Sequence, residues 1–327
     1  MTFPSLNTAG PLDPARFGGK SAHLAGLAAR GMPIPAGFAI PVETVLAWQA
    51  PLLPQIEAEI AALRLSGEEQ VAARIQTLFL SHALGNEMRA KLVASVAAHL
   101  PNGLHSPVAV RSSAVGEDAA EASFAGQFES LLGVFGLDAM DEAIRRVWAS
   151  LYSPRAIRYR HEAGLPAAAS PMGVTVLEMV DAAAAGVGFS VDVVTGKRDR
   201  IVIESTHGLA EPLVQGQITP DRFTVDKEEL RLMTARLGDK SLLCQTDPSG
   251  QNTHTIEMPS NLKACLSLHQ QEAVDLAGIL ARLEREMGHP VDIEWAIGQN
   301  GEIYLLQVRP ISSPLPEEMS RIWNPNG

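Results

Sequence analysis

Cysteine is almost missing from this 327-residue chain: Cys244 and Cys265 are the whole supply. Two thiols cannot build a disulfide framework or a cysteine-rich zinc site, and they fit a reducing compartment, so a cytoplasmic location is expected. Basic residues are also in deficit, 26 Lys and Arg against 37 Asp and Glu, for a net charge of −11. Non-specific nucleic-acid binding needs a basic surface that displaces counterions, so a chain this acidic is a poor candidate for it and no nucleic-acid partner is expected, although a local Lys/Arg cluster could still hold phosphate. Long apolar runs are lacking as well. The nearest, Val180 to Val194, is broken by Asp181 and Asp192 and falls short of the roughly 20 residues a span needs. No membrane partner is therefore expected. Met1 to Ser5 shows no basic segment leading into an apolar one, so no signal peptide is expected. No internal repeat is visible. What remains is 46% apolar and only 19% charged, the composition of a chain with a sizeable core.

Periodicity divides the chain into two styles. Phe17-Gly18-Gly19-Lys20 opens a helical pattern that Gly31 stops, and Met32 to Gly37 is a proline-stiffened connector. Phe38 to Pro41 predicts a strand, and Val42 to Leu100 an Ala-rich helical stretch with breaks near Pro51, Pro54, Gly67 and Gly85. Pro107 to Arg111 and Phe128 to Val134 predict strands, Asp138 to Arg160 a helix, and Glu162 to Pro171 a linker. After Met172 the pattern turns to successive strands: Val174 to Met179, Ala185 to Val193 and Arg200 to Glu204. A short helix over Gly208 to Gln215, a hairpin over Arg222 to Ala235, a long helix over Leu262 to Met287 and a last hairpin, Val291 to Ala296 with Glu302 to Val308, follow. Helices first and antiparallel strands later predict an α+β fold of two lobes rather than an alternating parallel sheet.

The last hairpin carries chemistry. Side chains at i and i+2 of a strand share a face, so Asp292 pairs in direction with Glu294, and Gln307 with Arg309. Taking Asn300-Gly301 as a two-residue type I′ turn, Glu294 falls opposite Gln307 and Asp292 opposite Arg309. Carboxylate and amide oxygens on one face suit Mg²⁺, which completes its shell with water and phosphate. A solvated face with an Asp292–Arg309 cross-strand salt bridge explains the same residues.

Three further segments could hold phosphate. Lys20 follows two glycines at a helix start, which is either an anion site or a plain helix opening. Arg111 leaves an apolar strand into Ser112-Ser113, as a phosphate ligand or a structural ion pair. Ala122 to Gln127 is a small-residue loop able to wrap a triphosphate with its amides, or a simple connection. Together with the hairpin they suggest a nucleoside triphosphate with Mg²⁺.

The ordered motifs resemble the nucleotide-binding domain of the phosphoenolpyruvate synthase and pyruvate phosphate dikinase family. They are Gly18-Gly19-Lys20 with Gly31 to Phe38, Val110 to Ala114, Glu117-Asp118 and Ser123 to Gln127, then Trp148 to Leu151 with Arg155-Ala156 and Tyr159-Arg160. Gly186, Phe189-Ser190, Gly208-Leu209, Pro220-Asp221, Asp292 to Trp295 and Gln307 to Pro310 complete the series, which runs from about Gly18 to Ile311. Rifampin phosphotransferase and phenylphosphate synthase share this domain. The resemblance implies an ATP-grasp fold, two lobes that clasp ATP, divided here as 1–179 and 180–327. It implies ATP and Mg²⁺ as cofactors and Lys20, Arg111 and Arg309 as catalytic residues. It implies Glu294 and Gln307 as metal ligands with Asp292 beside them. Ser123, Gly126 and Gln127, with Ser130 beyond, would cover the phosphates, and the backbone of Glu178, Met179 and Val180 would read the adenine edge.

The chain departs from the family in two places, Leu177-Glu178-Met179 for Gln-Lys-Met and Gly208-Leu209-Ala210-Glu211 for Gly-Leu-Gly-Glu. The first alters side-chain contacts to adenine or ribose; the second leaves the role of Glu211 open. The family also uses a swivelling domain with a phosphorylated histidine and an acceptor domain, and neither is expected within this sequence. Gly18-Gly19-Lys20-Ser21-Ala22-His23 has the Gly-Gly-x-x-x-His spacing of that histidine motif, but it stands where the nucleotide motif belongs. The resemblance thus implies an ATP-binding component that phosphorylates a histidine on a partner chain or further domain, for onward transfer to a small acceptor such as pyruvate or a phenol. A self-sufficient ATP-grasp ligase or kinase and a non-catalytic nucleotide sensor are the alternatives.

Overall fold

The computed structural model describes residues 1–116, 128–162, 172–247 and 252–311. They divide into two compact units, Met1–Met179 with Asp247–Asn252, and Val180–Thr246 with the chain from Thr253 onward.

The first unit opens with a one-turn helix, α1 (Pro14–Phe17), started by the Asp13 side chain, which accepts the Ala15 amide. Then come α2 (Gly19–Ala29), β1 (Gly37–Ile40) and the helices α3 (Val42–Gln49), α4 (Leu53–Ala61), α5 (Leu63–Ser81) and α6 (Asn86–His99). The breaks expected at Pro51, Pro54, Gly67 and Gly85 fall where these helices end or kink, and Gly67 takes a left-handed φ of 75° inside α5. Strands β2 (Val108–Ala114) and β3 (Ser130–Val134) precede α7 (Gly136–Ala149), a 3-10 turn over Ser150–Tyr152, α8 (Pro154–Glu162) and β4 (Met172–Glu178). The single helix expected over Asp138 to Arg160 is therefore divided. Pro154 disfavours helical backbone at Ser153, whose hydroxyl accepts the Ala156 amide and starts α8 afresh. The four strands form an antiparallel sheet in the order β1-β4-β2-β3. A core of Phe38, Phe79, Trp148 and Tyr152 fills the space between sheet and helices.

The second unit contains β5 (Ala182–Phe189), β6 (Arg200–His207), α9 (Glu211–Val214), β7 (Asp221–Asp226), β8 (Leu232–Arg236), β9 (Leu242–Thr246) and β10 (Thr253–Glu257). It continues with α10 (Ser260–Lys263), α11 (Gln270–Met287), β11 (Val291–Gly298) and β12 (Ile303–Pro310). Its main sheet is antiparallel, ordered β12-β11-β5-β6-β7-β8. Helix α11 covers it with Ala273, Leu276, Ala277, Leu280 and Leu283, an apolar stripe at helical spacing. Gly188 makes room, since a Cβ there would lie 2.8 Å from the Leu280 side chain. The α+β class expected from the sequence is borne out.

One expectation in this unit is corrected, and one hairpin had no counterpart in the sequence reading. The long helix over Leu262 to Met287 is two helices, because the Ser267 amide and hydroxyl both donate to Asp221 at 2.7 Å and pull the intervening segment out of helical geometry. Helix α11 restarts at His269, whose amide donates to Glu272. The β9–β10 hairpin was not expected: strands such as Cys244-Gln245-Thr246 and Thr253-His254-Thr255 have no apolar alternation to betray them. Among the described residues no helix is long and apolar enough to cross a membrane.

Candidate functional site

In the first unit, Lys20 sits in the first turn of α2 and Arg111 in the middle of β2. Gly18 caps α2 with φ 76° and ψ 167°, a region that only glycine adopts readily. A Cβ there would run into the Ser113 carbonyl, so the absence of a side chain lets α2 seat directly on β2. Gly173 does the same from β4: its would-be Cβ lies 2.6 Å from the Phe17 carbonyl oxygen. The Lys20 ammonium donates to Ser112 Oγ at 3.3 Å, and the Ser21 amide to Ser113 Oγ at 3.0 Å. Lys20 is thus tied to the residue that follows Arg111, 92 positions away in the chain.

Across the sheet, Arg111 has Thr175 of β4 as its register partner on one side and Ser130 of β3 on the other. Ser130 is exposed at the start of β3. The loop residues Ser123, Gly126 and Gln127, and Glu117-Asp118, lie outside the described residues. Glu178 ends β4; its amide donates to Ala36 and that of Met179 to Pro107, while the Glu178 carboxylate takes the Asn102 amide at 3.2 Å. His23 lies within α2, one turn beyond Lys20 and partly buried.

In the second unit the expected hairpin register holds where it matters, with Asp292 opposite Arg309 and Glu294 opposite Gln307. The route to it differs from the sequence count. The Gly301 amide donates to the Gly298 carbonyl and the Gly298 amide to the Glu302 carbonyl, so the turn contains Gln299, Asn300 and Gly301. Only Gly301 has positive φ, 79°, so Asn300-Gly301 is not a type I′ pair. The longer turn shifts the pairing by one residue, giving Ile297 opposite Ile303 and Trp295 opposite Leu305. A β-bulge at Leu306 then restores the register before Gln307. Ile293, Trp295 and Val308 are buried on the core face, as expected.

On the other face Arg309 bridges both acids, at 3.1 Å to Glu294 and 3.6 Å to Asp292. The cross-strand salt bridge is therefore real, and it reaches Glu294 more closely than Asp292. Glu294 retains 19% of its side-chain exposure and Asp292 25%, while Gln307 is buried. Among the described residues no group of three or more His, Cys, Asp or Glu is placed to hold a metal. The hairpin offers two carboxylates and an amide, a set that fits a hard cation completing its shell from phosphate and water.

Two motifs of the sequence have structural settings in this unit. Asp221 is fully buried and accepts from the Gly238 amide, from Lys240 at 2.5 Å, and from the Ser267 amide and hydroxyl. It ties two loops, the one between β8 and β9 and the one before α11, to the start of β7. Glu211 accepts from the Cys244 thiol and the Thr253 hydroxyl, both at 3.5 Å. Burial pushes the Cys244 thiol above its ordinary range, which removes it as a thiolate nucleophile.

The sequence reading missed the hydroxyl partners Ser21, Ser112, Ser113 and Thr175. Ser112-Ser113 was expected after the end of a strand at Arg111, but β2 runs on to Ala114, and nothing local ties these serines to a helix 92 residues earlier.

Comparison with known proteins places this geometry. The chain is 34% identical over 303 residues to the probable phosphoenolpyruvate synthase of Methanothermobacter thermautotrophicus, covering 90% of this chain and 44% of that one. It is 33% identical over 311 residues to the rifampicin phosphotransferase of a Streptomyces species, covering 93% of this chain and 35% of the relative. The chain thus spans well under half the length of these relatives. D-alanyl-alanine synthetase A from Vibrio cholerae overlays 80% of this chain and 61% of its own at 13% identity, but its TM-score of 0.29 carries no argument. The model of the pyruvate phosphate dikinase AMP/ATP-binding domain matches residues 14–322, from α1 to beyond β12. With Lys20, Arg111 and the acid–amide hairpin inside that span, the chain belongs to the pyruvate phosphate dikinase AMP/ATP-binding domain family.

Proposed function

We propose that this chain binds MgATP and passes a phosphoryl group from it to a histidine carried on a separate swivelling chain or domain, in an ATP-grasp arrangement whose two lobes are the two units. The observation that carries this reading is that a family match over residues 14–322 encloses both cationic side chains and the acid–amide hairpin. Lys20 and Arg111 bind phosphate oxygens as point charge and fork. Glu294 and Gln307, with Asp292 beside them, would hold Mg²⁺, which when bound neutralises triphosphate charge. Arg309 holds both carboxylates through its guanidinium and would offer that guanidinium to a phosphoryl oxygen of bound nucleotide. Adenine would meet the strand end at Glu178 to Val180, through carbonyls and the Val180 amide, since the Glu178 and Met179 amides are engaged. Ser123, Gly126, Gln127 and Ser130 would cover the phosphates. In the transfer the lone pair of a neutral imidazole nitrogen on the partner forms an N–P bond as a P–O bond of ATP breaks, and the rest of the nucleotide leaves with the bridging oxygen and its electron pair. This chain contributes positioning and charge neutralisation. A reducing, cytoplasmic setting and a small final acceptor complete the proposal.

Calorimetry with MgATP and labelling with phosphate-labelled ATP test it together. The wild-type chain binds MgATP, and Glu294→Ala or Gln307→Ala abolishes transfer to a partner bearing the Gly-Gly-x-x-x-His motif while the fold persists. The pure chain acquires no stoichiometric acid-labile phosphate. Self-labelling that His23→Ala stops would overturn the split relay. Turnover of ATP with a small acceptor and no partner would point to a ligase or kinase, and binding with no transfer to any partner to a nucleotide sensor.

A further inference from the structure

Four hydroxyl side chains are completely buried beneath the start of α2: Ser21, Ser112, Ser113 and Thr175. Their neighbours in the same strands, Met172, Val174, Val176 and Ala114, are apolar and equally buried. A buried hydroxyl must find a partner, and alanine would fill nearly the same volume without that obligation. The hydroxyls are therefore not explained by packing. Their partners supply the explanation. Ser113 Oγ accepts the Ser21 amide, one of the first-turn donors that a helix cannot satisfy internally. The helix has no cap of its own, because its N-cap is Gly18. Ser113 therefore caps α2 from another element. Ser21 Oγ and Thr175 Oγ1 share a bond of 2.7 Å, and Lys20 Nζ donates to Ser112 Oγ.

These bonds gather at the part of β2 that follows Arg111 and at the strand beside it. Ser112 is the neighbour of Arg111 in the chain, and Thr175 is the register partner of Arg111 across the sheet. The Lys20 ammonium is thus tied to the residue next to Arg111, and the helix that carries it is tied to the residue opposite. Bonds that fix the Lys20 ammonium and the helix that carries it before nucleotide arrives lower the reorganisation needed when phosphate binds.

We propose that Ser112 and Ser113 are positioning residues for triphosphate binding, acting through Lys20 and the first turn of α2 rather than by touching the nucleotide. The inference rests on the MgATP reading given above. Ser113 fixes where the helix starts, and Ser112 fixes where the ammonium points.

The test is calorimetric titration of the full chain with MgATP and, separately, adenosine, for wild type, Ser112→Ala, Ser113→Ala, Lys20→Met and the Lys20→Met/Ser113→Ala pair. Removing one hydroxyl costs a hydrogen bond, so each single serine variant weakens MgATP binding about five- to tenfold. Adenosine, which has no phosphate for Lys20, binds all variants as it binds wild type. In the Lys20→Met background, Ser113→Ala adds less than about twofold, because the group through which it acts is gone. Ser113→Cys, similar in size and a weaker acceptor, falls between wild type and Ser113→Ala, and it decides the matter if the alanine variant does not fold. Wild-type MgATP affinity in Ser112→Ala and Ser113→Cys overturns the positioning role, as does a Ser113→Ala loss that is fully additive with Lys20→Met or equal for adenosine. Failure of the wild-type chain to bind MgATP overturns the nucleotide reading instead.

Discussion

Lys20 and the hydroxyl that accepts from it are 92 residues apart, whereas Glu294 and the guanidinium that donates to it are 15 apart. The seat of Lys20 is assembled from a helix and two strands pressed together through glycines, with buried hydroxyls as the fasteners. The Asp292–Arg309 face is one hairpin, in which strand alternation and register place all four polar side chains. Parts brought together from distant segments depend on close fit, and parts on adjacent strands depend on counting. The first kind of site fails when an atom is added at the contact; the second tolerates additions in open space and fails when register is lost.

Two glycines with left-handed φ make that contrast measurable. Gly18→Ala is expected to have the largest effect. Its φ and ψ lie in the glycine-only region and its Cβ would overlap the Ser113 carbonyl, so strain and overpacking together cost roughly 2–5 kcal/mol. Thermal or denaturant unfolding should register that loss, with MgATP binding lost alongside; a stability near wild type would show that α2 does not seat on β2 as described. Gly301→Ala, at φ 79° with nothing near its would-be Cβ, should cost only about 1–2 kcal/mol. Its MgATP affinity should stay within about twofold of wild type. A large affinity loss there would mean that the turn, and not the bulge, sets the carboxylate–amide pairing.

The same contrast governs what could be read in advance. Residue alternation and a turn glycine were enough to put Glu294 opposite Gln307, because both are local properties of the chain. The count succeeded through two departures that cancel, a turn one residue longer and a bulge at Leu306, and neither has a sequence signal strong enough to see. The antiparallel character of the second unit and the helix breaks at Pro51, Pro54 and Gly67 were equally legible, since proline and glycine act on their own backbone. The break before α11 was not, because its cause is Asp221, 46 residues upstream of Ser267. Nor were the serine partners of α2, for the same reason.

The Leu306 bulge has a bearing on how relatives of this chain are compared. Removing that residue would bring Gln307 next to Leu305 and leave it facing Glu294, so the hairpin could lose one residue with its carboxylate–amide pair intact. Deletion of Leu306 therefore spares that pair, while a deletion between Gln307 and Arg309 would move Arg309 off Asp292. An alignment gap in this hairpin belongs at Leu306, and one placed at the glycine turn would put the wrong residues of a relative in the same column as Trp295 and Leu305.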